Sequence, residues 1–249
     1  MWIEAKRLPL IENPMEDLDI PQLAEYLHVT PDQITKMVTR GNLPGRKVGG
    51  QWRFNEAEIH HWLEERIGLS DPNELDEVRR VLHRSSDTPT RQLSELCTVD
   101  LIANPLSART RGSVIRGMSD LASTTGMLWD APAMAQAVAE REKLHPTALD
   151  NGVALLHPRR PQTSILADSV LALGICQAGL PFSNRGQLTD IFFLICSYDD
   201  SSHLRILAKL SRLVSDDAFL DGLRSSDSPG DAWLILKEAE AAIDENISL

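Results

Sequence analysis

Cysteine is scarce in this chain of 249 residues. Cys97, Cys176 and Cys196 are widely spaced and set among apolar residues, which argues against a disulfide framework or a thiolate zinc site and predicts buried free thiols. Long apolar runs are lacking too. No stretch approaches the roughly 20 residues of a membrane span, so no membrane insertion is expected. The opening Met1-Trp2-Ile3-Glu4-Ala5-Lys6-Arg7 has no signal-peptide core, which leaves the cytoplasm as the expected location. There is no glycine-rich phosphate loop, no metal motif and no serine-triad signature, and no cofactor is implied. His28, His60, His61 and His83 show no metal-ligand spacing. An excess of basic charge is also absent: the net charge of −11 argues against a molecule that coats nucleic acid with its whole surface.

What is present is enough for two compact domains, with a hydrophobic share of 42% that suits a globular protein. Positive charge is locally concentrated. Residues 1–90 carry 11 basic and 16 acidic side chains, yet the stretch Gln33–Asn55 holds Lys36, Arg40, Arg46, Lys47 and Arg53 and no acidic residue.

Residues 1–16 show no periodicity and read as a loose lead-in, with organisation beginning at Asp19. Asp19, Pro21 and Gln22 form a helix start, and Leu23, Ala24 and Leu27 then share a face. Thr30, Pro31 and Gln33 form a second start, followed by Ile34, Met37 and Val38. Two short helices joined by a tight turn suggest a helix-turn-helix. Gly45-Arg46-Lys47-Val48 and Gln51-Trp52-Arg53-Phe54 flank the pair Gly49-Gly50, which predicts a two-residue hairpin turn, a wing. Asn55 and Glu58 cap a closing helix with Ile59, Trp62, Leu63 and Ile67 on its stripe.

Residues 17–67 thus resemble the small, mainly α winged helix-turn-helix of the excisionase and MerR-like families, including Gly41-Asn42-Leu43-Pro44 before the wing and Trp52-Arg53-Phe54 within it. The resemblance implies that helix 31–41 lies in the major groove of duplex DNA. Gln33, Thr35, Lys36, Thr39 and Arg40 on that helix, beside Asp32, and Arg46, Lys47 and Arg53 of the wing are the expected DNA-binding residues. The alternative is a solvated face, or a fold reused for protein contacts; the segregation of charge favours DNA.

Residues 68–92 read as a helix plus linker. Leu75, Val78 and Leu82 fall at helical spacing in 72–82, a helix that could dock on either domain or pair with its copy in a homodimer, and Ser85-Ser86-Asp87-Thr88-Pro89-Thr90 is linker-like. From residue 93 to 249 the pattern turns α/β. Helices are predicted at Ser107–Thr124, Pro132–Leu144, Ser202–Ser215 and Asp231–Asp244, and strands at Val153–Leu156, Ser169–Cys176 and Asp190–Ser197. Their interleaving implies a sheet covered by helices.

The centre of this second region is Asn151-Gly152-Val153-Ala154-Leu155-Leu156-His157-Pro158-Arg159-Arg160. Four apolar residues in a row suit a strand covered on both faces, and Pro158 cannot continue a central ladder. His157 is therefore expected at a strand end, on the rim where solvent begins. A neutral imidazole there is either a structural hydrogen-bonding residue or a nucleophile, with Arg159 or Arg160 able to attract an anion.

Arg141-Glu142-Lys143-Leu144, Thr147, Asn151-Gly152-Val153-Ala154-Leu155 and His157, in that order, resemble the phosphorylation-site region of enzyme IIA domains of the bacterial phosphoenolpyruvate-dependent phosphotransferase system, of the fructose, mannitol and nitrogen-regulatory type. The resemblance runs from about Leu93 to Ala242. It implies that His157 accepts a phosphoryl group from a phosphocarrier protein, that His203, in the pattern His203-Leu204 followed by Leu207, is the second active-site histidine, and that Arg141 balances charge or orients the loop. His203 falls in the expected first turn of a helix that Ser201 or Ser202 can cap, where N–H groups favour an anion. Arg159 and Arg160 would form the rim that meets the donor. His145 falls where the family requires no histidine. The pattern departs at Leu156, where family members usually carry a proline and its fixed backbone angle.

Two readings follow. In the first, an enzyme IIA-like phosphotransfer domain controls a DNA-binding domain, giving a transcriptional output. In the second, the IIA-like domain is degenerate and the chain is a DNA-binding or scaffolding protein. Retention of both His157 and His203 favours the first, and Leu156 the second.

Overall fold

The computed structural model describes residues 17–26, 30–55, 58–59, 62, 91–144, 146–182 and 186–245. The chain divides into two compact units, residues 1–63 and 64–249. The helix expected at 72–82 and the linker at 85–90 lie outside the described residues, as do most of the closing helix of the first unit and His28, His60, His61, His83 and His145.

In the first unit, the first described element lies just ahead of the helix start at Asp19. Strand β1 (Asp17–Leu18) pairs antiparallel with β3 (Gln51–Asn55), which also pairs with β2 (Arg46–Val48) in the order β1-β3-β2. A two-residue strand has no periodicity to read, so only its partner reveals it. Helix α1 (Ile20–Tyr26) starts with a reciprocal bond: Asp19 Oδ1 accepts from the Gln22 N–H and Gln22 Oε1 from the Asp19 N–H, both at 2.9 Å. Helix α2 (Pro31–Thr39) has the expected capping box, with Thr30 N–H donating to Gln33 Oε1 at 2.8 Å and Gln33 N–H to Thr30 Oγ1 at 3.3 Å. Gly49 and Gly50 both have positive φ, 59° and 82°, the conformation a tight hairpin turn requires. Leu23, Ala24, Ile34, Val38, Leu43, Phe54 and Ile59 form the core. Asn55 Oδ1 accepts from the Glu58 N–H, as its capping role requires.

The second unit is built on a mixed four-stranded sheet of order β4-β6-β7-β5, from β4 (Ile102–Ala103), β5 (Val153–Leu156), β6 (Val170–Pro181) and β7 (Leu188–Cys196). β6 and β7 are antiparallel; β4 runs parallel to β6 and β5 parallel to β7. Before the sheet comes the short helix α3 (Leu93–Leu96). Helices α4 (Arg111–Ser123) and α5 (Ala131–Leu144) share one apolar cluster with Ala154, Leu156, Ala172, Phe192, Leu194 and Cys196. The alternate residues Val153, Leu155, Leu171, Phe193 and Ile195 are buried as well, and α6 (Asp200–Leu213), α7 (Asp217–Ser225) and α8 (Pro229–Glu245) also pack on the sheet. Burial on both sides explains why β5 is wholly apolar.

Several boundaries differ from expectation. Helix α4 starts at Arg111 rather than Ser107, because Thr110 caps it through a hydrogen bond from the Ser113 N–H. Strand β6 continues past Cys176 to Pro181 through an irregularity between Ile175 and Leu180. Helix α7 was not expected, since Gly222 interrupts its pattern, yet Phe219, Leu220 and Leu223 bury one face of it. All three cysteines are buried free thiols. Burial pushes the Cys196 thiol up to about 12, and that of Cys97 upward also, so neither is a nucleophile near neutral pH.

Candidate functional site

Because β5 and β7 are parallel neighbours, their C-terminal ends emerge side by side. Leu156 pairs with Leu194, and His157 is the next residue. Beyond Cys196, β7 gives way to Ser197, Tyr198 and Asp199 and then to α6. Asp199 caps that helix by accepting from the Ser202 N–H at 2.8 Å, so the cap precedes the two serines expected to supply it. An aspartate ahead of a polar run is itself a recognisable start signal. His203 lies in the first turn.

The two histidines meet with ring centroids 5.0 Å apart and planes tilted by 55°. Each is only 3% exposed. The rim position expected for His157 is thus replaced by a covered one: the imidazole is enclosed, while Arg159 and Arg160 are exposed. Its Nδ1 lies 2.9 Å from the Leu155 carbonyl oxygen. A carbonyl only accepts, so Nδ1 is a protonated nitrogen, and the lone pair of the neutral ring is then on Nε2, an arrangement suited to nucleophilic attack through Nε2. His203 Nδ1 lies 3.2 Å from Ser197 Oγ. Ser197 is 1% exposed and carried no signal in the sequence.

Arg141 is buried in the last turn of α5. Its neighbour Glu142, also buried, organises the strand that leads to His157. Arg111 Nη2 donates to the Glu142 carboxylate at 2.6 Å and to its carbonyl at 2.8 Å. The Thr147 N–H donates to Glu142 Oε1 at 3.1 Å, and the Thr147 hydroxyl bonds the same oxygen. Residues 147–149 run antiparallel along the outer edge of β5, with the Leu155 N–H reaching the Thr147 carbonyl and the Leu149 N–H the Val153 carbonyl. Glu142, Thr147, Leu155 and His157 therefore form one connected path. At the other end of β5, Gly152 turns with φ +88°. A Cβ there would lie 2.8 Å from Asp190 Oδ1 and 2.9 Å from Arg224 Nη2. Arg224 bonds both Asp190 and the Asn151 carbonyl, so the turn is held by an ion pair.

In the first unit, Gln33, Thr35, Lys36, Thr39 and Arg40 are all exposed on α2, although the Gln33 carbonyl oxygen is engaged by the Thr30 cap. In the wing, Arg46 pairs with Asp17 at 2.5 Å, Lys47 lies over the Trp52 ring with Nζ 5.0 Å from its centroid, and Arg53 reaches Gln51 at 3.4 Å and Asp19 at 3.9 Å. In the wing, the charges of Arg46 and Arg53 are thus partly offset by Asp17 of β1 and by Asp19.

Residues 95–239 match the family model described as phosphoenolpyruvate-dependent sugar phosphotransferase system, EIIA 2. The chain belongs to this EIIA family. Residues 18–67 match a helix-turn-helix domain model, so the EIIA-type domain is preceded by a helix-turn-helix domain. The chain is similar to the PTS system fructose-specific EIIABC component of Bacillus subtilis, 24% identical over 152 residues, which are 55% of this chain and 24% of that protein. It is also similar to the multiphosphoryl transfer protein of Xanthomonas campestris, 28% identical over 132 residues, 53% of this chain and 15% of that protein. The EIIA-like match thus spans a quarter or less of these curated relatives. Among solved structures, nitrogen regulatory protein IIA-Ntr from Neisseria meningitidis aligns with TM-score 0.52 and 18% identity, covering 58% of this chain and 98% of that one, a likeness of fold. Among the described residues no helix is long and apolar enough to cross a membrane.

Proposed function

We propose that residues 93–249 form a phosphotransfer domain in which His157 accepts a phosphoryl group from a phosphocarrier protein, and that residues 17–67 bind duplex DNA so that the phosphorylation state has a transcriptional output, with residues 68–92 as the connection. The observation that carries this reading is the meeting of His157, just past the end of β5, with His203, in the first turn of the helix that follows β7. In the transfer, Nε2 of His157 supplies the electron pair of the new N–P bond. The donor's imidazole keeps the pair of the bond that breaks, and the proton on Nδ1 of His157 stays against the Leu155 carbonyl. Such transfer has a loose transition state with charge spread over the equatorial oxygens, so positioning and electrostatics outweigh acid–base chemistry. His203 steadies the phosphoryl, Arg141 balances its charge or orients the loop, and the exposed Arg159 and Arg160 meet the donor.

Incubation with phosphoenolpyruvate and a reconstituted relay is expected to give acid-labile phosphate on the full chain and none on His157→Ala. Undiminished labelling of that variant excludes His157 as the acceptor. Phosphorylated and unmodified protein, compared at one salt concentration, are expected to differ in duplex affinity or oligomeric mass, and equality in both means that the domains are uncoupled. Two features favour a second reading, in which the domain serves assembly alone: Leu156 in place of proline, and the enclosure of His157. A complete lack of labelling selects it.

A further inference from the structure

We infer that Ser197 is a positioning residue that holds His203 as the Nε2–H tautomer, opposite to the Nδ1–H tautomer of His157, so that the pair presents one nucleophilic nitrogen and one N–H donor. Ser197 directly follows β7 and is buried, 1% exposed. Its hydroxyl has a single side-chain hydrogen bond among the described residues, to His203 Nδ1 at 3.2 Å. A hydroxyl owns one proton, and once buried that proton needs an acceptor. If Nδ1 of His203 bore hydrogen, it would donate to Oγ and strand the serine proton away from water. If Nδ1 bears the lone pair, the serine O–H donates to it and both groups are satisfied. The ring proton of His203 is then on Nε2. For His157 the logic is reversed, because the Leu155 carbonyl can only accept and the proton belongs on Nδ1.

The chemical meaning rests on the reading of His157 as acceptor. With His203 fixed as an Nε2–H donor, the imidazole offers a hydrogen bond to a phosphoryl oxygen on its neighbour without having to become charged, and the orientation exists before the phosphoryl arrives. No cation is needed from His203, and no rotation.

The test is the pair of ring-nitrogen signatures in two-bond proton–nitrogen spectra of the full chain labelled with ¹⁵N-histidine, recorded near pH 8, well above the ordinary imidazole range of about 6.5. The expected spectrum places the His203 proton on Nε2 and the His157 proton on Nδ1. In Ser197→Ala, His203 is expected to lose its single tautomer and give averaged shifts, and in Ser197→Thr, which keeps a hydroxyl, the signature returns. His203 protonated on Nδ1 in the native chain, or a tautomer unchanged in Ser197→Ala, overturns the inference. The His157 signature reports whether the alanine variant keeps the site intact; if it does not, the native and threonine spectra still decide the matter. Relay labelling is the separate arm. Ser197→Ala is expected to label on His157 but to lose phosphate about fivefold faster, the effect of one lost orienting hydrogen bond. A native chain that takes no label with the tautomers as described overturns the acceptor reading alone.

Discussion

His157 and His203 approach with ring centroids 5.0 Å apart, although each is held from behind by a different kind of group, a backbone carbonyl for His157 and a buried hydroxyl for His203. Each imidazole thus has an anchor of its own, so each can be replaced separately and its contribution read.

Replacing His203 by alanine should leave the acceptor in place. Transfer to His157 is expected to slow, or the half-life of the phosphohistidine to fall, by about tenfold, the size expected for losing one hydrogen bond to a charged group. Rapid-quench labelling and the decay of bound phosphate measure the two quantities. Unchanged values for both would leave His203 with no part in the transfer.

Glu142 ties Arg111 and Thr147 to the edge of β5. Glu142→Gln keeps the shape of the side chain but removes the charge and forces one polar contact to break. The expected cost is about 1–3 kcal/mol, seen as a lower thermal midpoint of about 2–4 °C per kcal/mol in a domain of this size. Slower labelling of His157 should accompany it, since Thr147 is bonded to Leu155. A variant with native midpoint and native labelling would break the proposed path.

Glu240 predicts an acid-side loss of stability. Burial alone raises its carboxyl, but hydrogen bonds from Lys209 and from the Ser94 and Leu93 N–H groups outweigh it, leaving the group below the ordinary 4.5. In the folded state it therefore binds a proton later than in the unfolded chain. Its stabilisation is fully present above the ordinary value and is lost as pH falls through the lower folded one. Glu240→Gln should be less stable than the native chain near neutral pH, with a flatter decline below about pH 4.5. Urea midpoints across that range test this, and parallel declines in the two proteins would rule out Glu240 as a source.

On the helix-turn-helix side, Lys36 and Arg40 are exposed and make no ion pair among the described residues, whereas Arg46 is paired with Asp17. Lys36→Ala and Arg40→Ala should each weaken duplex binding and reduce the slope of log affinity against log salt by about one, through loss of one phosphate contact. Fluorescence titrations at several salt concentrations give the slopes. Binding that ignores salt would point to protein contacts instead.

The sequence by itself determined what depends on neighbours a few residues away. The capping boxes at Asp19 and Thr30 and the turn at Gly49-Gly50 are local: a side chain reaches an N–H three residues on, or two adjacent residues adopt positive φ. The apolar run Val153–Leu156 announced a covered strand for a similar reason, since burial on both faces leaves no polar position. The motif order around His157 also named the EIIA family and singled out His157 and His203, whose rings the fold brings together. Tertiary structure alone decided that His157 is enclosed, because the parallel pairing of β5 with β7 brings α6 and His203 against it. It alone also chose the partners that fix the site, the Arg111 that meets Glu142, the Arg224 and Asp190 that hold the Gly152 turn, and the Ser197 behind His203. Such contacts join residues distant along the chain, and no periodicity or spacing records them until the sheet order has set which strand ends lie side by side.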